Sequence, residues 1–524
     1  MVANGYIPLL ARILDRGGED RLAVSGGGES ITYGELHRQL VAVREALLRN
    51  GIGAGARVAV CVPKTISAVA TILGILAAGA AYVPLNHRLP VAQLRRVLAD
   101  LDPSLFVTTG AIADVFCRTY REARASFGFR LAKVSGRVDS AGVEFVDAIP
   151  CNPAAARASP QDLAVILYTS GTTGDPKGIM LTHGNVASFV DWAADAFAIT
   201  DLDRLASHAP LHFDLSIFDI FCGLTRGASV HLIDENTASF PGAIRSLIAN
   251  AGITVWYSVP TALVRLQERE ALKQLQSLRL ILFAGEVFPA PSLRRLMADV
   301  PAPEYVNLYG PTETNVCTYY RLPGPPDSDF SQIPIGRPCE HLDVRVVDGA
   351  GTPVRRGETG EICVAGPAVM QGYWGRPEAT LTARLPERAD SYRTGDYAYD
   401  RGDGAYMFVG RRDQQIKIRG HRLELLALET ILNGHPAIRE AAALFVQEPR
   451  RGGAVAAFLV PRSARLGERD IRAFLEERLP PQYQPDYLEW LLELPQTANG
   501  KCDRGKLLSS ARVGIGIKAD EIDV

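Results

Sequence analysis

The 524-residue chain lacks a dominant charge: Lys plus Arg number 56, Asp plus Glu 58, and the formal net charge is -2. A near-neutral chain has no global attraction to nucleic acid or to an anionic membrane, and neither is an expected partner. It also lacks paired cysteine motifs. Its eight cysteines stand at 61, 117, 151, 222, 317, 339, 363 and 502. No two form CxxC, which argues against zinc knuckles and thioredoxin-like pairs. Several lie inside apolar runs such as Val60-Cys61-Val62, where a thiol behaves as a small hydrophobe. That usage fits a reducing compartment, so a cytoplasmic location is expected. The start lacks a basic leader, and Arg12 and Asp15 interrupt its apolar stretch. Leu10, Ile13 and Leu14 at helical spacing predict an amphipathic first helix there instead.

One long apolar run is present. No charge falls between Lys64 and His87, which meets the length criterion for a membrane span. Gly74, Gly79 and Pro84 interrupt it, and Ala81 to Leu85 reads as a strand. A buried helix, a glycine stop and a buried strand are therefore expected. Apolar residues are 47 % and charged residues 22 % of the chain, close to globular averages. The length suggests about three or four domain-sized units. Strand-like runs (Val58 to Val62, Leu163 to Tyr168, Leu278 to Ala284) alternate with helical patterns, which predicts α/β architecture with largely parallel sheets. Around 333–375 short strands separated by glycine turns predict a small β-barrel or meander. A boundary is expected at the charged run Gly410-Arg411-Arg412-Asp413, followed by a compact α+β unit.

The strongest local signal is Tyr168-Thr169-Ser170-Gly171-Thr172-Thr173-Gly174-Asp175-Pro176-Lys177-Gly178, directly after a buried strand. Glycines let backbone amides approach an oxyanion, hydroxyls add donors, and Lys177 adds positive charge. The spacing is not that of a Walker A loop. An ordinary solvated Ser/Thr/Gly loop is the competing reading of the composition.

The full string resembles the signature of the adenylate-forming enzymes: acyl-CoA synthetases, luciferases and the adenylation domains of nonribosomal peptide synthetases. Further segments resemble that family in its own order. They are Ile31 to Leu36, Leu76 to Leu85, Asn307-Leu308-Tyr309-Gly310-Pro311-Thr312-Glu313, Tyr392-Arg393-Thr394-Gly395-Asp396, the run from Gly410 to Glu424, and Asn499-Gly500-Lys501-Cys502-Asp503-Arg504. The resemblance implies a large α/β amino-terminal domain of two layered sheets plus a small β-barrel, over 1–409 with the barrel near 333–409. A hinge at 410–413 and a small mobile α+β domain over 414–524 complete the expectation.

The resemblance also assigns roles. ATP and Mg²⁺ are the implied cofactors. Thr169, Ser170, Gly171, Thr172, Thr173, Gly174 and Lys177 would cradle the phosphates. Tyr309 would stack on adenine, bounded by Gly285, Glu286 and Asn307, with Gly310 and Thr312 beside the nucleotide. Glu313, a hard oxygen ligand, would hold Mg²⁺. Asp396 would accept the ribose hydroxyls, and Arg411 would contact nucleotide near the hinge residue Asp413. Lys501 would bridge the attacking carboxylate and the α-phosphate. Carboxylates are already ionised at neutral pH, so no general base is required.

Asp214, in Phe213-Asp214-Leu215-Ser216, sits where amino-acid-activating members pair an aspartate with the substrate ammonium. A buried charge requires such a partner; the competing reading is a helix N-cap. The family's pocket positions carry over as Asp214, Leu215, Phe218, Tyr257, Leu282, Ala284, Leu308, Val316 and Cys317, closed by Lys501. This apolar wall resembles that of stand-alone enzymes activating L-proline, the expected substrate. Twenty residues follow Arg504 without a carrier motif. The expectation is therefore a free-standing ligase that delivers its aminoacyl group to the phosphopantetheine thiol of a separate carrier protein. The alternative is an aryl- or other carboxylic-acid ligase using CoA, against which Asp214 argues.

Overall fold

The structure is a computed structural model. It describes residues 8–16, 18–110, 112–114, 130–134, 143–146, 163–170, 176–273, 275–326, 332–411, 415–418, 421–446, 453–462, 467–495, 504 and 506–508. Gly171, Thr172, Thr173, Gly174, Asp413 and Lys501, and the Ser170 side chain, lie outside the described residues.

Two large sheets form most of the fold. The first has nine strands in the order Arg337–Pro338, Thr318–Arg321, Glu304–Tyr309, Leu280–Ala284, Val255–Ser258, Arg204–Ser207, Ser229–Leu232, Leu22–Gly26 and Glu29–Thr32. Its centre is parallel and its two edges are antiparallel. The second has eight strands, in the order Gly372–Tyr373, Pro176–Thr182, Leu163–Ser170, Ala81–Pro84, Arg57–Cys61, Leu105–Thr108, Arg130–Val134 and Val143–Val146. The parallel centres follow from strands buried on both faces, such as Arg57–Cys61 and Leu280–Ala284.

The uncharged run is a helix, Ile66–Ala77, with every residue buried. Thr65 caps it by accepting from the Ala68 amide. Residues of both sheets, among them Val58, Tyr82, Val230 and Leu280, share one apolar core with this helix. Gly74 was expected to interrupt the run, but the helix passes through it. A Cβ at Gly74 would stand 2.5 Å from Val43 of the helix Tyr33–Arg49. The glycine is there for helix-to-helix approach, not as a breaker. Gly79, with φ of +77°, supplies the stop. The segment Ile31 to Leu36 is a capping box: Thr32 Oγ1 accepts from the Glu35 amide at 3.2 Å, and Glu35 Oε2 accepts from the Thr32 amide at 2.8 Å. Among the described residues no helix is long and apolar enough to cross a membrane.

A third sheet, wholly antiparallel, runs Asp343–Val347, Gly360–Ala365, Ser391–Asp400 and Tyr406–Arg411. Beyond it lie a hairpin, Gln415–Ile418 with His421–Glu424, and a three-stranded sheet of Ile438–Val446, Ala454–Pro461 and Tyr487–Trp490. The helices Leu425–Asn433 and Glu468–Glu476 accompany that last sheet, and its apolar clusters contain no residue from before Leu423.

Candidate active site

The predicted phosphate loop joins two antiparallel strands. Tyr168 pairs with Gly178, Thr169 with Lys177 and Ser170 with Pro176, so both flanks of the loop are held in register. Lys177 Nζ lies 5.8 Å from the centroid of the Tyr373 ring. The Tyr373 hydroxyl donates to Glu313 Oε1 at 2.8 Å and meets the Tyr392 hydroxyl at 3.3 Å. Burial and the Glu313 carboxylate raise the Tyr373 phenol well above its ordinary value, so it stays a donor. Tyr373 therefore links the predicted phosphate-loop lysine to the predicted metal-binding carboxylate. Sequence reading missed it because its partner is sixty positions away in the chain.

Glu313 itself is 1 % exposed. It sits on a tight turn made possible by Gly310, where a Cβ would fall 1.7 Å from the Asn315 carbonyl oxygen. No other residue fits that approach. The same turn presents Thr312 and leads into Val316 and Cys317. Among the described residues no group of three His, Cys, Asp or Glu side chains is placed to hold a metal alone. A buried hard carboxylate oxygen fits Mg²⁺ whose other ligands are phosphate and water oxygens.

At the end of the strand Glu304–Tyr309, the Tyr309 hydroxyl donates to Asp396 Oδ2 at 2.5 Å. Arg411 donates to Asp396 Oδ1 at 2.6 Å and to the Thr394 carbonyl at 3.2 Å. Three residues singled out from separate motifs thus form one contact. The turn holding Asp396 is braced by Glu361, which accepts from the Gly395 amide at 3.0 Å and from Arg393. Gly285 follows the strand Leu280–Ala284 with φ of +91°. Glu286 Oε2 accepts from the Thr261 amide at 2.9 Å and its hydroxyl at 2.5 Å, which bonds Glu286 to the first turn of the helix Pro260–Glu268. Asn307 donates to the Pro334 carbonyl at 2.8 Å.

The predicted substrate wall shares one face of the first sheet. Tyr257 pairs with Leu282, and Ala284 with Leu308. Positions two apart on a strand point the same way, so Leu282 and Ala284 share that face. Both belong to one apolar cluster with Tyr257, Phe218, Leu308, Val316 and Cys317, while the intervening Phe283 faces a different cluster. Phe218 meets Tyr257 edge-on at 5.4 Å between centroids. Leu215 packs against the same cluster, half-buried.

Asp214 precedes a helical segment, Leu215–Thr225, whose middle, Phe218–Cys222, is a π-turn. It does not cap that helix: its backbone is itself helical and its side chain makes no capping bond. Its charge contributes to raising the buried Tyr257 phenol above its ordinary value, after burial itself. A cavity of about 450 Å³ lies alongside, bordered by Lys64, His208, His212, Phe213, Leu215 and Val259 among others. His212 borders this cavity, stacking obliquely on Phe213 at 5.0 Å.

Residues 11–374 match the AMP-binding enzyme family, and residues 427–501 match the AMP-binding enzyme C-terminal domain. The chain belongs to the AMP-binding enzyme family. It is 36 % identical over 489 residues to an L-proline–[L-prolyl-carrier protein] ligase of Pseudomonas fluorescens, covering 92 % of this chain and 94 % of that one. A protein of the same description from Streptomyces coelicolor is 36 % identical over 493 residues, covering 92 % of each chain. Among solved structures, the amide bond synthetase McbA from Marinactinospora thermotolerans superposes with a TM-score of 0.84 at 27 % identity, covering 96 % of this chain and 99 % of that one. In this AMP-binding enzyme the candidate residues fall into two sets of contacts, Tyr309 with Asp396 and Arg411, and Lys177 with Tyr373 and Glu313.

Proposed function

We propose that this AMP-binding enzyme condenses L-proline with ATP to prolyl-AMP, releasing pyrophosphate, and passes the prolyl group to the phosphopantetheine thiol of a separate carrier protein. One observation carries the amino-acid reading. Asp214 stands at the head of its helix without capping it, next to the buried Phe218 and Tyr257 and the half-buried Leu215. A carboxylate beside an apolar wall suits a substrate with one cationic amine and a compact apolar body. The ligases of Pseudomonas fluorescens and Streptomyces coelicolor support proline as that body.

The chemistry then assigns itself by charge. Asp214 grips the ammonium and so orients the substrate carboxylate towards the nucleotide. Tyr309 offers its ring to adenine, while Asp396, aligned by Arg411 and Tyr309, accepts the ribose hydroxyls. Thr169 to Gly174 and Lys177 hold the phosphates. Glu313, oriented by Tyr373, would hold Mg²⁺, which when bound neutralises phosphate charge. Lys501 brings an ammonium to the junction of carboxylate and α-phosphate, where negative charge accumulates as the new bond forms. A small domain over 414–524, turning at 410–413 about Asp413, would exchange Lys501 for the face containing Gly420 when the thiol arrives. The reading places the enzyme in the cytosol, with its ATP supply; Cys61, Cys222, Cys339 and Cys363 are buried thiols there.

ATP–pyrophosphate exchange over a panel of amino, aryl and fatty acids tests this. Proline-dependent exchange is expected. Exchange confined to aryl or fatty acids would replace the reading with that of a CoA ligase.

A further inference from the structure

Three consecutive main-chain carbonyls converge on one cation. Lys64 Nζ donates to the carbonyl oxygens of Ser207, His208 and Ala209 at 2.6, 3.0 and 3.0 Å. Lys64 comes from the turn after Arg57–Cys61, in the second sheet. The carbonyls close the strand Arg204–Ser207, in the first. The ammonium therefore ties the two sheets together at the carboxyl ends of their strands, where the substrate wall is built.

The chain returns to the same place ten residues later. The π-turn Phe218–Cys222 carries Asp219, 1 % exposed, its carboxyl buried beside the Ser207 hydroxyl. Burial pushes the Asp219 carboxyl up, opposed by the pull of Lys64 and Ser207. Burial pulls Lys64 down, opposed by Asp219, Glu235 and Asp234. Extra turns of π-type recur at functional sites because they re-aim side chains. Between the two anchors runs the segment that presents Asp214. Within it, Ser216 Oγ donates to the Phe213 carbonyl at 2.6 Å, which holds the stretch before the helix compact.

We propose that Lys64 is a positioning residue for the amino-acid subsite: seated among the Ser207, His208 and Ala209 carbonyls, it fixes the segment that aims Asp214 at the substrate amine. Lys64 itself touches no substrate. The inference rests on reading Asp214 as the partner of that amine. The charge is essential, because three aligned carbonyl dipoles left without it repel one another and lose charge-assisted hydrogen bonds. A neutral side chain of similar length fills the volume without supplying the field. The nucleotide contacts lie on other elements, around Tyr309, Asp396 and Lys177, and do not depend on this tie.

The test is exchange kinetics of Lys64→Ala, Lys64→Met and Lys64→Arg in the full chain. Lys64→Ala and Lys64→Met are expected to raise the amino-acid KM about tenfold or more, with the ATP KM within about twofold of the parent. Lys64→Arg, which keeps a cation, stays within about threefold in both. Added ethylammonium restores Lys64→Ala through the 450 Å³ cavity that Lys64 borders, and leaves Lys64→Met unchanged. In an Asp214→Ala background Lys64→Ala costs less than about threefold more. Equal rises in both KM values, no rise, or a Lys64→Arg as poor as Lys64→Met would overturn the proposal. If Lys64→Ala and Lys64→Met do not fold, Lys64→Gln replaces them: an amino-acid KM raised with the ATP KM within about twofold supports the proposal, and equal rises or no rise overturn it. Failure of the amino-acid reading is separate: it shows as parent enzyme that exchanges with no amino acid.

Discussion

Tyr309 and Asp396, eighty-seven positions apart, are joined by a hydrogen bond of 2.5 Å. Arg411 holds the other oxygen of the same carboxylate at 2.6 Å. The ring expected under adenine and the carboxylate expected under ribose are thus joined in one hydrogen-bonded unit. Burial and the Asp396 charge keep the Tyr309 phenol protonated, so it donates at every working pH.

Tyr309→Phe keeps the stacking face and removes the donor. Its ATP KM is expected to rise about tenfold, the worth of one hydrogen bond to a charged acceptor. The amino-acid KM stays near that of the parent. ATP-dependence of pyrophosphate exchange measures both, and an unchanged ATP KM would remove the coupling from the account.

Tyr373→Phe leaves the ring beside Lys177 but frees Glu313 Oε1 from its donor. The Mg²⁺ concentration for half-maximal exchange is expected to rise about five- to tenfold, because outer partners of a metal carboxylate set its orientation. Titrating Mg²⁺ at fixed ATP reads this directly. A shift in the ATP KM alone, with Mg²⁺ dependence unaltered, would assign Tyr373 to the phosphates instead.

Asp214→Asn preserves shape and removes charge. The proline KM should rise about a hundredfold, the cost of leaving a buried ammonium without its counter-charge. Isothermal titration with ATP analogue should show nucleotide affinity unaltered. Parallel loss of both would mean that the substitution disturbs the fold.

Lys501→Ala should lower the exchange rate by about a hundred- to a thousandfold, as removal of a transition-state donor does. Binding of ATP is expected to persist, since the proposed nucleotide contacts lie elsewhere. Full exchange activity in this variant would dismiss the proposed role.

His231, 5 % exposed, sits between the Ser25 hydroxyl at 2.7 Å and the Ser229 hydroxyl at 3.0 Å. Burial, with help from Arg204, lowers it to about 4. The unfolded chain takes up the proton near pH 6.5 while the folded chain resists, so stability is complete above pH 6.5 and falls as pH drops towards 4. At pH 5 the loss from this group is about 2 kcal/mol. Denaturant midpoints at pH 7 and pH 5 should differ by less in His231→Gln than in the parent. An identical difference would show that other groups carry the acid sensitivity.

Much of the site was legible because its chemistry is local. The hydroxyl-glycine string, the turn from Asn307 to Glu313 and the turn at Asp396 each need adjacent residues to bend the backbone, and adjacency survives in the linear text. The Gly310 turn is an example: the approach of 1.7 Å that would exclude a Cβ is made by Asn315, five positions on. Other features carry no local trace. Gly74 reads as a helix breaker until Val43 is seen against it. Tyr373 belongs to no motif singled out in the linear text, yet it meets Glu313, and Lys64, which there only ends the uncharged run, meets three carbonyls.

The sequence by itself determined the alternation of strands and helices, because hydrophobic period and turn chemistry act over a few residues, and its ordered motifs carried the resemblance to the family and the candidate nucleotide groups. Only the tertiary structure decided which of those groups touch. Both large sheets share a core with one buried helix, and Lys64 of one meets the strand leading to Asp214 of the other, as Tyr373 meets Glu313; the third sheet brings Asp396 to Tyr309. Contacts of long sequence separation are set by how whole layers pack, a property that no short stretch of chain encodes.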